Sequence, residues 1–282
     1  MKCKVAIAQI DSRVGDVLRN RELHLRYVDQ AIKNKSHLVV FPELSLNGYT
    51  LRDLAGEQAI DPSTDRLLEP LRKKSKQISI AMGIVESGNN HGVYNSAVFL
   101  EDGEVKHIHR KVYPPTYGMF EEGRYFSQGS SARAFDSKLG RFGMLICEDM
   151  WHVSLPYLLA LDGAESIMCL TASPTRLGNE QSSLAIADVN HEHHRTYARL
   201  LNVYMLFSSR VGIEDGVNFW GGSIVVDPNG TLIAKAKLFD ADLITAELNS
   251  KQVQKARRSS RHFLDEKPEL VLRELRRIID KS

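Results

Sequence analysis

Leu38-Val39-Val40-Phe41-Pro42-Glu43 is a short, wholly apolar run stopped by proline, with a carboxylate immediately beyond it. A run of this kind is too short for a core helix. With no polar alternation, it reads as a strand buried on both faces. Upstream, Asp16–Lys35 carries Leu18, Leu25, Val28 and Ile32 at near-helical spacing, so an amphipathic helix is expected there. Before it, Val5-Ala6-Ile7-Ala8-Gln9-Ile10 reads as another buried strand. Strand, helix and strand in this order predict an α/β fold, in which strands of like direction bring their carboxyl ends to one edge, where sites form.

The alternation continues outward from there. Pro62–Lys76 is expected to be helical, with Leu67, Leu68 and Leu71 as its apolar stripe. Ile78–Val85, Asn95–Leu100 and Val105–His109 read as strands, the last two joined at Glu101-Asp102-Gly103-Glu104. Residues 112–131 are irregular and punctuated by Pro114-Pro115, Gly118, Gly123 and Gly129; a loop this long inside a compact domain is usually functional. Arg141–Ile146, Ser166–Leu170, Tyr204–Ser209, Gly222–Val226, Thr231–Ala236 and Leu243–Leu248 are further strands, and Leu155–Leu161 and Ser182–Asn202 are helices. No repeat or low-complexity linker divides the chain. The reading is a single mixed α/β domain over residues 1–249 and a tail over 250–282, where the basic stretch Lys251–Arg261 precedes a Pro268-led helix.

Composition narrows the class. The chain has 282 residues, 43% hydrophobic and 26% charged, which are ordinary globular values. Lys plus Arg number 37 against 35 Asp plus Glu, so no basic excess supports a nucleic-acid partner. No apolar stretch reaches the roughly 18 residues that a membrane helix needs. The N-terminal apolar run is too short, and too interrupted by Gln9, for a secretory signal. Three cysteines, Cys3, Cys147 and Cys169, do not make a disulfide framework. A soluble, cytoplasmic protein is the expectation.

Three reactive side chains lie just past predicted strand ends: Glu43, Lys111 and Cys147. Singly, each has an ordinary reading, as a turn residue, a solvated lysine and a small core thiol. Together, a carboxylate, an ammonium and a thiol at one sheet edge make a nucleophilic site. The ammonium favours thiolate, the carboxylate takes the proton, and the cation with the Glu148 N–H stabilises an oxyanion. Cys3 and Cys169 sit in apolar runs and read as core. His191-Glu192-His193-His194 lacks the second ligand spacing of a zinc helix, because Arg195 stands where the histidine belongs; surface or interface histidines are expected.

The strings Phe41-Pro42-Glu43-Leu44, Arg110-Lys111-Val112-Tyr113-Pro114-Pro115 and Cys147-Glu148-Asp149-Met150-Trp151 resemble, in order and spacing, the nitrilase superfamily of carbon–nitrogen hydrolases. Tyr94-Asn95-Ser96-Ala97, Phe120–Phe126 and Gly221–Gly230 extend the resemblance over most of the chain. It implies a four-layer α-β-β-α sandwich with mixed sheets. It also implies a Glu-Lys-Cys triad on Glu43, Lys111 and Cys147, and a second glutamate on Glu122 or its neighbour Glu121. Homodimers or higher homo-oligomers, with the tail packed on the domain or on a neighbouring subunit, are a further implication. The strings around Tyr117 and Cys147, with Thr171-Ala172-Ser173-Pro174, look similar to the glutaminase domain of NAD synthetases, but this sequence stops near 282 without a synthetase half. A free-standing amidase, or a glutaminase-like subunit with a partner, is therefore expected.

The expected reaction is hydrolysis of a small-molecule amide, ω-amide or carbamoyl amine through a thioester on Cys147, with no metal or organic cofactor. Tyr49, Tyr117 and Trp151 are expected in the pocket wall, and Glu148 and Ser173 against a polar substrate. Nitriles are disfavoured, since Glu148-Asp149 stands where that branch commonly has Trp-Glu. The rival from another class is a non-catalytic interaction protein that keeps the fold.

Overall fold

The computed structural model describes residues 2–175 and 180–281. The chain runs through β1 (Lys2–Gln9), α1 (Val17–Lys33), β2 (Leu38–Val40), α2 (Leu54–Glu57), α3 (Glu69–Lys74), β3 (Ser79–Ser87), β4 (Val93–Glu101) and β5 (Glu104–Arg110). Next come α4 (Glu122–Tyr125), β6 (Phe135–Ser137), β7 (Gly140–Ile146), α5 (Ser154–Leu161), β8 (Ser166–Thr171), α6 (Glu180–Leu201) and β9 (Tyr204–Ser209). A hairpin of β10 (Val211–Glu214) and β11 (Val217–Trp220) follows, then β12 (Ile224–Val226), β13 (Leu232–Lys235), β14 (Asp242–Asn249), α7 (Ser250–Ser259) and α8 (Pro268–Ile279).

The strands form two mixed six-stranded sheets, ordered β14-β1-β2-β3-β4-β5 and β13-β12-β9-β8-β7-β6. In the first, β1, β2 and β3 are parallel, β4 reverses and β5 reverses again, so β5 points the same way as β2. In the second, β7, β8 and β9 are parallel.

The apolar strands bury both faces, as their lack of alternation requires. Along β1, Val5 and Ile7 point into the space between the sheets, where they meet Val40, Phe99, Met144, Ile146, Leu170 and Leu206. Ala6 and Ala8 point the other way, beneath Val28 and Ala31 of α1 and Leu71 of α3. The second sheet repeats the plan: Leu145, Ile167 and Met205 turn outward against Leu155 and Leu159 of α5 and Ala198 of α6. The result is the expected four layers, helix, sheet, sheet, helix. Truncating a large core side chain such as Phe99, which lies between the sheets, costs about 3–5 kcal/mol.

Two local readings are corrected. The helix expected over Pro62–Lys76 is shorter: a 3-10 turn at Arg66–Leu68 leads into α3, and Asp65 caps the turn through the Leu67 N–H. The hairpin β10–β11 was not anticipated. Its signal is nonetheless present, because Asp215-Gly216 is a two-residue turn with both φ angles positive, 51° and 76°, which fits the turn type that joins tight hairpins.

Candidate active site

Glu43 lies two residues past the short strand Phe41 continues. The Phe41 N–H bonds the Ala81 carbonyl, and the Leu46 N–H bonds that of Gly83, so residues 41–46 ride along β3. The approach is so close that a Cβ on Gly83 would stand 2.2 Å from the Leu44 nitrogen. Leu44 itself is in the left-handed region, φ 45°. This backbone turns the Glu43 side chain inward, where it is buried.

Lys111 follows β5. Its N–H bonds the Asn95 carbonyl and its carbonyl takes the Gly129 N–H. Its ammonium, also buried, donates to Glu43 Oε1 at 2.7 Å and to both oxygens of Glu122 at 2.7 and 2.8 Å. Glu43 Oε1 also accepts from Asn95 Nδ2 at 2.8 Å. Glu43 Oε2 accepts from the Ala172 N–H, at 2.8 Å, just past the end of β8. Both sheets therefore hold the same carboxylate. Glu122 opens α4 and further accepts from Tyr49 Oη at 2.6 Å. Glu121 instead faces outward and pairs with Arg124, so Glu122 is the glutamate that joins the cluster.

Cys147 begins the 3-10 turn Cys147–Trp151 directly after β7, half-buried and with φ 44°. A non-glycine residue held there is an uncommon, strained conformation of the kind that collects at functional sites. Its thiol lies within electrostatic reach of Glu43, Lys111 and Glu122. Burial raises the thiol well above its ordinary value; the Glu43 charge adds to this and Lys111 opposes it. This direction fits the expectation that the carboxylate takes the thiol's proton as attack begins. Burial also pushes Glu43 up to about 7, against the pull of Lys111 and with the help of Glu122. A carboxyl poised there accepts a proton near neutral pH. On Lys111, burial disfavours the charge, but Glu122 and Glu43 more than offset it, and the ammonium is retained.

The geometry brings together Glu43, Lys111, Glu122, Tyr49 and Cys147. Of the other expected residues, Tyr117 lies within electrostatic reach of Cys147 and Lys111. Tyr117 is 56% exposed, and its hydroxyl donates to Glu148 Oε2 at 2.9 Å. Trp151 is 44% exposed, with its ring edge-on to His193 at 4.4 Å. Ser173 is buried and accepts from Trp220 Nε1 at 2.9 Å. Cys3 and Cys169 are core, as expected. His191 and His194 are not surface residues: both are buried, bonded to the Gly222 and Asn190 carbonyls and packed on Phe207. Their helix turns that face inward, which a reading by ligand spacing does not detect.

Three contributors escaped the sequence reading. Asn95 stood in a quoted string, but its signal is a polar amide at the start of a largely apolar strand, which must find partners when buried. Asp149 is fully buried behind the Cys147 turn. Glu214, on the unanticipated hairpin, accepts from the N–H groups of Tyr49 and Thr50 and pairs with Arg210, so it braces the loop that carries Tyr49.

The carbon-nitrogen hydrolase family pattern matches residues 4–258. The chain belongs to the carbon–nitrogen hydrolases. It is 29% identical over 249 residues to the glutamine-dependent NAD(+) synthetase of Acinetobacter baylyi, covering 88% of this chain and 44% of the synthetase. The chain thus spans less than half the length of that relative. It is 30% identical over 275 residues to the omega-amidase Nit3 of Saccharomyces cerevisiae, covering 92% of this chain and 91% of Nit3. The solved structure of that Nit3, a member of branch 10 of the nitrilase superfamily, superposes with a TM-score of 0.80 at 26% identity, covering 92% of this chain and 94% of that one. The family match over residues 4–258 speaks against the rival reading as an interaction protein without catalysis. Among the described residues, no helix is long and apolar enough to cross a membrane.

Proposed function

We propose that this carbon–nitrogen hydrolase cleaves small linear amides, with ω-amides foremost, through a thioester on Cys147. The observation that carries the reading is the buried Lys111 ammonium held at 2.7 Å by both Glu43 and Glu122, beside a thiol on a strained turn. In the proposed reaction, Glu43 takes the Cys147 proton as sulfur attacks the carbonyl carbon. The carbonyl oxygen becomes an oxyanion held by Lys111 Nζ and the Glu148 N–H. Collapse of this intermediate breaks the C–N bond, and Glu43 returns the proton to the departing ammonia or amine. Water, deprotonated by Glu43, then adds to the thioester; the acid leaves and the thiol regains its proton. Glu122 keeps Lys111 in place. No metal or organic cofactor enters these steps.

The near full-length match to an omega-amidase supports ω-amides over carbamoyl amines. The match to one portion of glutamine-dependent synthetases favours a second reading, a glutaminase-like subunit that supplies ammonia to a partner protein. Tyr117 and Glu148 at the mouth, with Trp151 beyond and Ser173 behind, are proposed to meet the substrate's distal part. All three cysteines are free, which suits a reducing compartment such as the cytoplasm. Residues 1–249 are proposed as the hydrolase unit, with α7 docked on it through Val253 and Ala256. The apolar side chains Leu270, Leu272 and Leu275 that α8 exposes are proposed to pack in a homodimer or higher homo-oligomer. Ammonia release across a panel of ω-amides, glutamine, carbamoyl amines and nitriles tests the reading. Turnover of ω-amides is expected; a parent enzyme active on nitriles alone would overturn it.

A further inference from the structure

Behind the cluster, one carboxylate ties its two halves together. Asp149 is wholly buried. Its Oδ1 accepts the N–H groups of Val112 at 3.0 Å and Tyr113 at 3.1 Å. Its Oδ2 accepts the Ile146 N–H at 3.1 Å and bonds His109 Nε2 at 2.8 Å. With three backbone donors already on the carboxylate, the histidine nitrogen is the fourth donor, and every acceptor position is used.

The chain positions of these partners give the arrangement its meaning. His109 is two residues before Lys111, and Val112 and Tyr113 are the two residues after it. Ile146 is the residue before Cys147. Lys111 leaves the first sheet and Cys147 leaves the second, with no hydrogen bond needed between their own side chains. We infer that Asp149 is the positioning residue that sets Lys111 and Cys147 in register, with His109 as its anchor, and that it touches no substrate itself. Its bond to the Ile146 N–H closes the turn from Ile146 to Asp149 that holds Cys147 at φ 44°. Its bonds to Val112 and Tyr113 fix the backbone from which the Lys111 side chain projects. An amide in its place would set an NH₂ group against at least one of these N–H donors. The loss would be of alignment, and a misplacement of about 1 Å in such a site costs on the order of 10²-fold in rate. This inference rests on the roles proposed above for Lys111 and Cys147.

The experiment uses the full chain and two variants, Asp149→Asn and His109→Phe. Turnover of an ω-amide is expected to fall about 10²-fold in kcat in Asp149→Asn. The same reading gives about a tenfold fall in His109→Phe, which removes one hydrogen bond to a charged group. KM should stay within about threefold in both, because nothing that meets the substrate is removed. A second readout needs no turnover: the pH dependence of iodoacetamide alkylation at Cys147. In the parent, its midpoint is expected near 7, where Glu43 titrates. In Asp149→Asn it should move up by more than one pH unit, toward an unassisted thiol at about 8.5 or above. A loss of stability alone would not move that midpoint. An unchanged kcat and midpoint, or a rise in KM with kcat kept, overturns the inference. If Asp149→Asn does not fold, His109→Phe decides alone, and parent-like kcat in it is likewise contradictory. If the parent turns over no amide, the proposed function fails, while the alkylation profiles still decide the positioning role.

Discussion

The floor and the mouth of the site are built differently. On the floor, Glu43, Lys111 and Glu122 are buried and joined by charge-assisted hydrogen bonds, and Glu43 also reaches the second sheet through the Ala172 N–H. At the mouth, Tyr117 and Glu148 share one bond at the surface, and Trp151 leans on a single histidine. Hydrogen bonds between buried charged groups are strong, and costly to break when one partner is removed; a surface bond is worth little. On the proposed roles, the chemistry belongs to the buried floor, and substrate choice to a mouth that can change without endangering the fold.

The sharpest way to break this contrast is Lys111→Met. It leaves two buried carboxylates facing each other, so activity should vanish, and stability should fall by about 3–5 kcal/mol in denaturant titration at pH 8. The penalty should shrink toward pH 5. Without the ammonium, which holds it down, Glu43 titrates higher and takes up a proton in the folded state, and a folded state that binds more protons is favoured as pH falls. Equal stability of variant and parent at pH 8 would contradict the division.

Glu122→Gln should be milder. In the parent, kcat/KM is expected to rise with pH through about 7, as Glu43 becomes able to accept a proton. The Glu122 charge holds Glu43 up. Its removal should therefore move this acidic limb to lower pH, while kcat falls roughly tenfold as Lys111 loses its clamp. A limb that stays in place would show that Glu43 does not set it.

The smallest effect belongs to the mouth. Tyr117→Phe removes one exposed hydrogen bond, worth about 1 kcal/mol at most, so KM should change by less than about tenfold with kcat and melting temperature unaltered. A large kcat loss there would move chemistry out of the floor.

What was legible in the sequence follows the same division. The strand ends at Glu43, Lys111 and Cys147 could be read because apolar runs of fixed length stop at proline or at a change of pattern. The strands without alternation pointed to a mixed α/β domain, and the four layers were implied by the resemblance of the strings to the family. The links between distant segments were not legible. Ala172 meets Glu43, Asp149 meets Val112, and Glu214 meets Tyr49 only once two sheets are packed, and no local periodicity encodes those meetings. The histidines of α6 were misread for the same reason: their burial depends on Phe207, from a strand that pairs only in the folded chain. Local signals were present at the Asp215-Gly216 hairpin and at the Asn95 amide.

The most direct measurement is partitioning of an ω-amide reaction by hydroxylamine. An acyl group held on sulfur must divide between water and the added nucleophile. Ammonia release accompanied by hydroxamate, rising with hydroxylamine at the expense of free acid and absent in Cys147→Ala, is the predicted result. Ammonia with free acid alone at every hydroxylamine concentration, or turnover that survives in Cys147→Ala, would contradict the account.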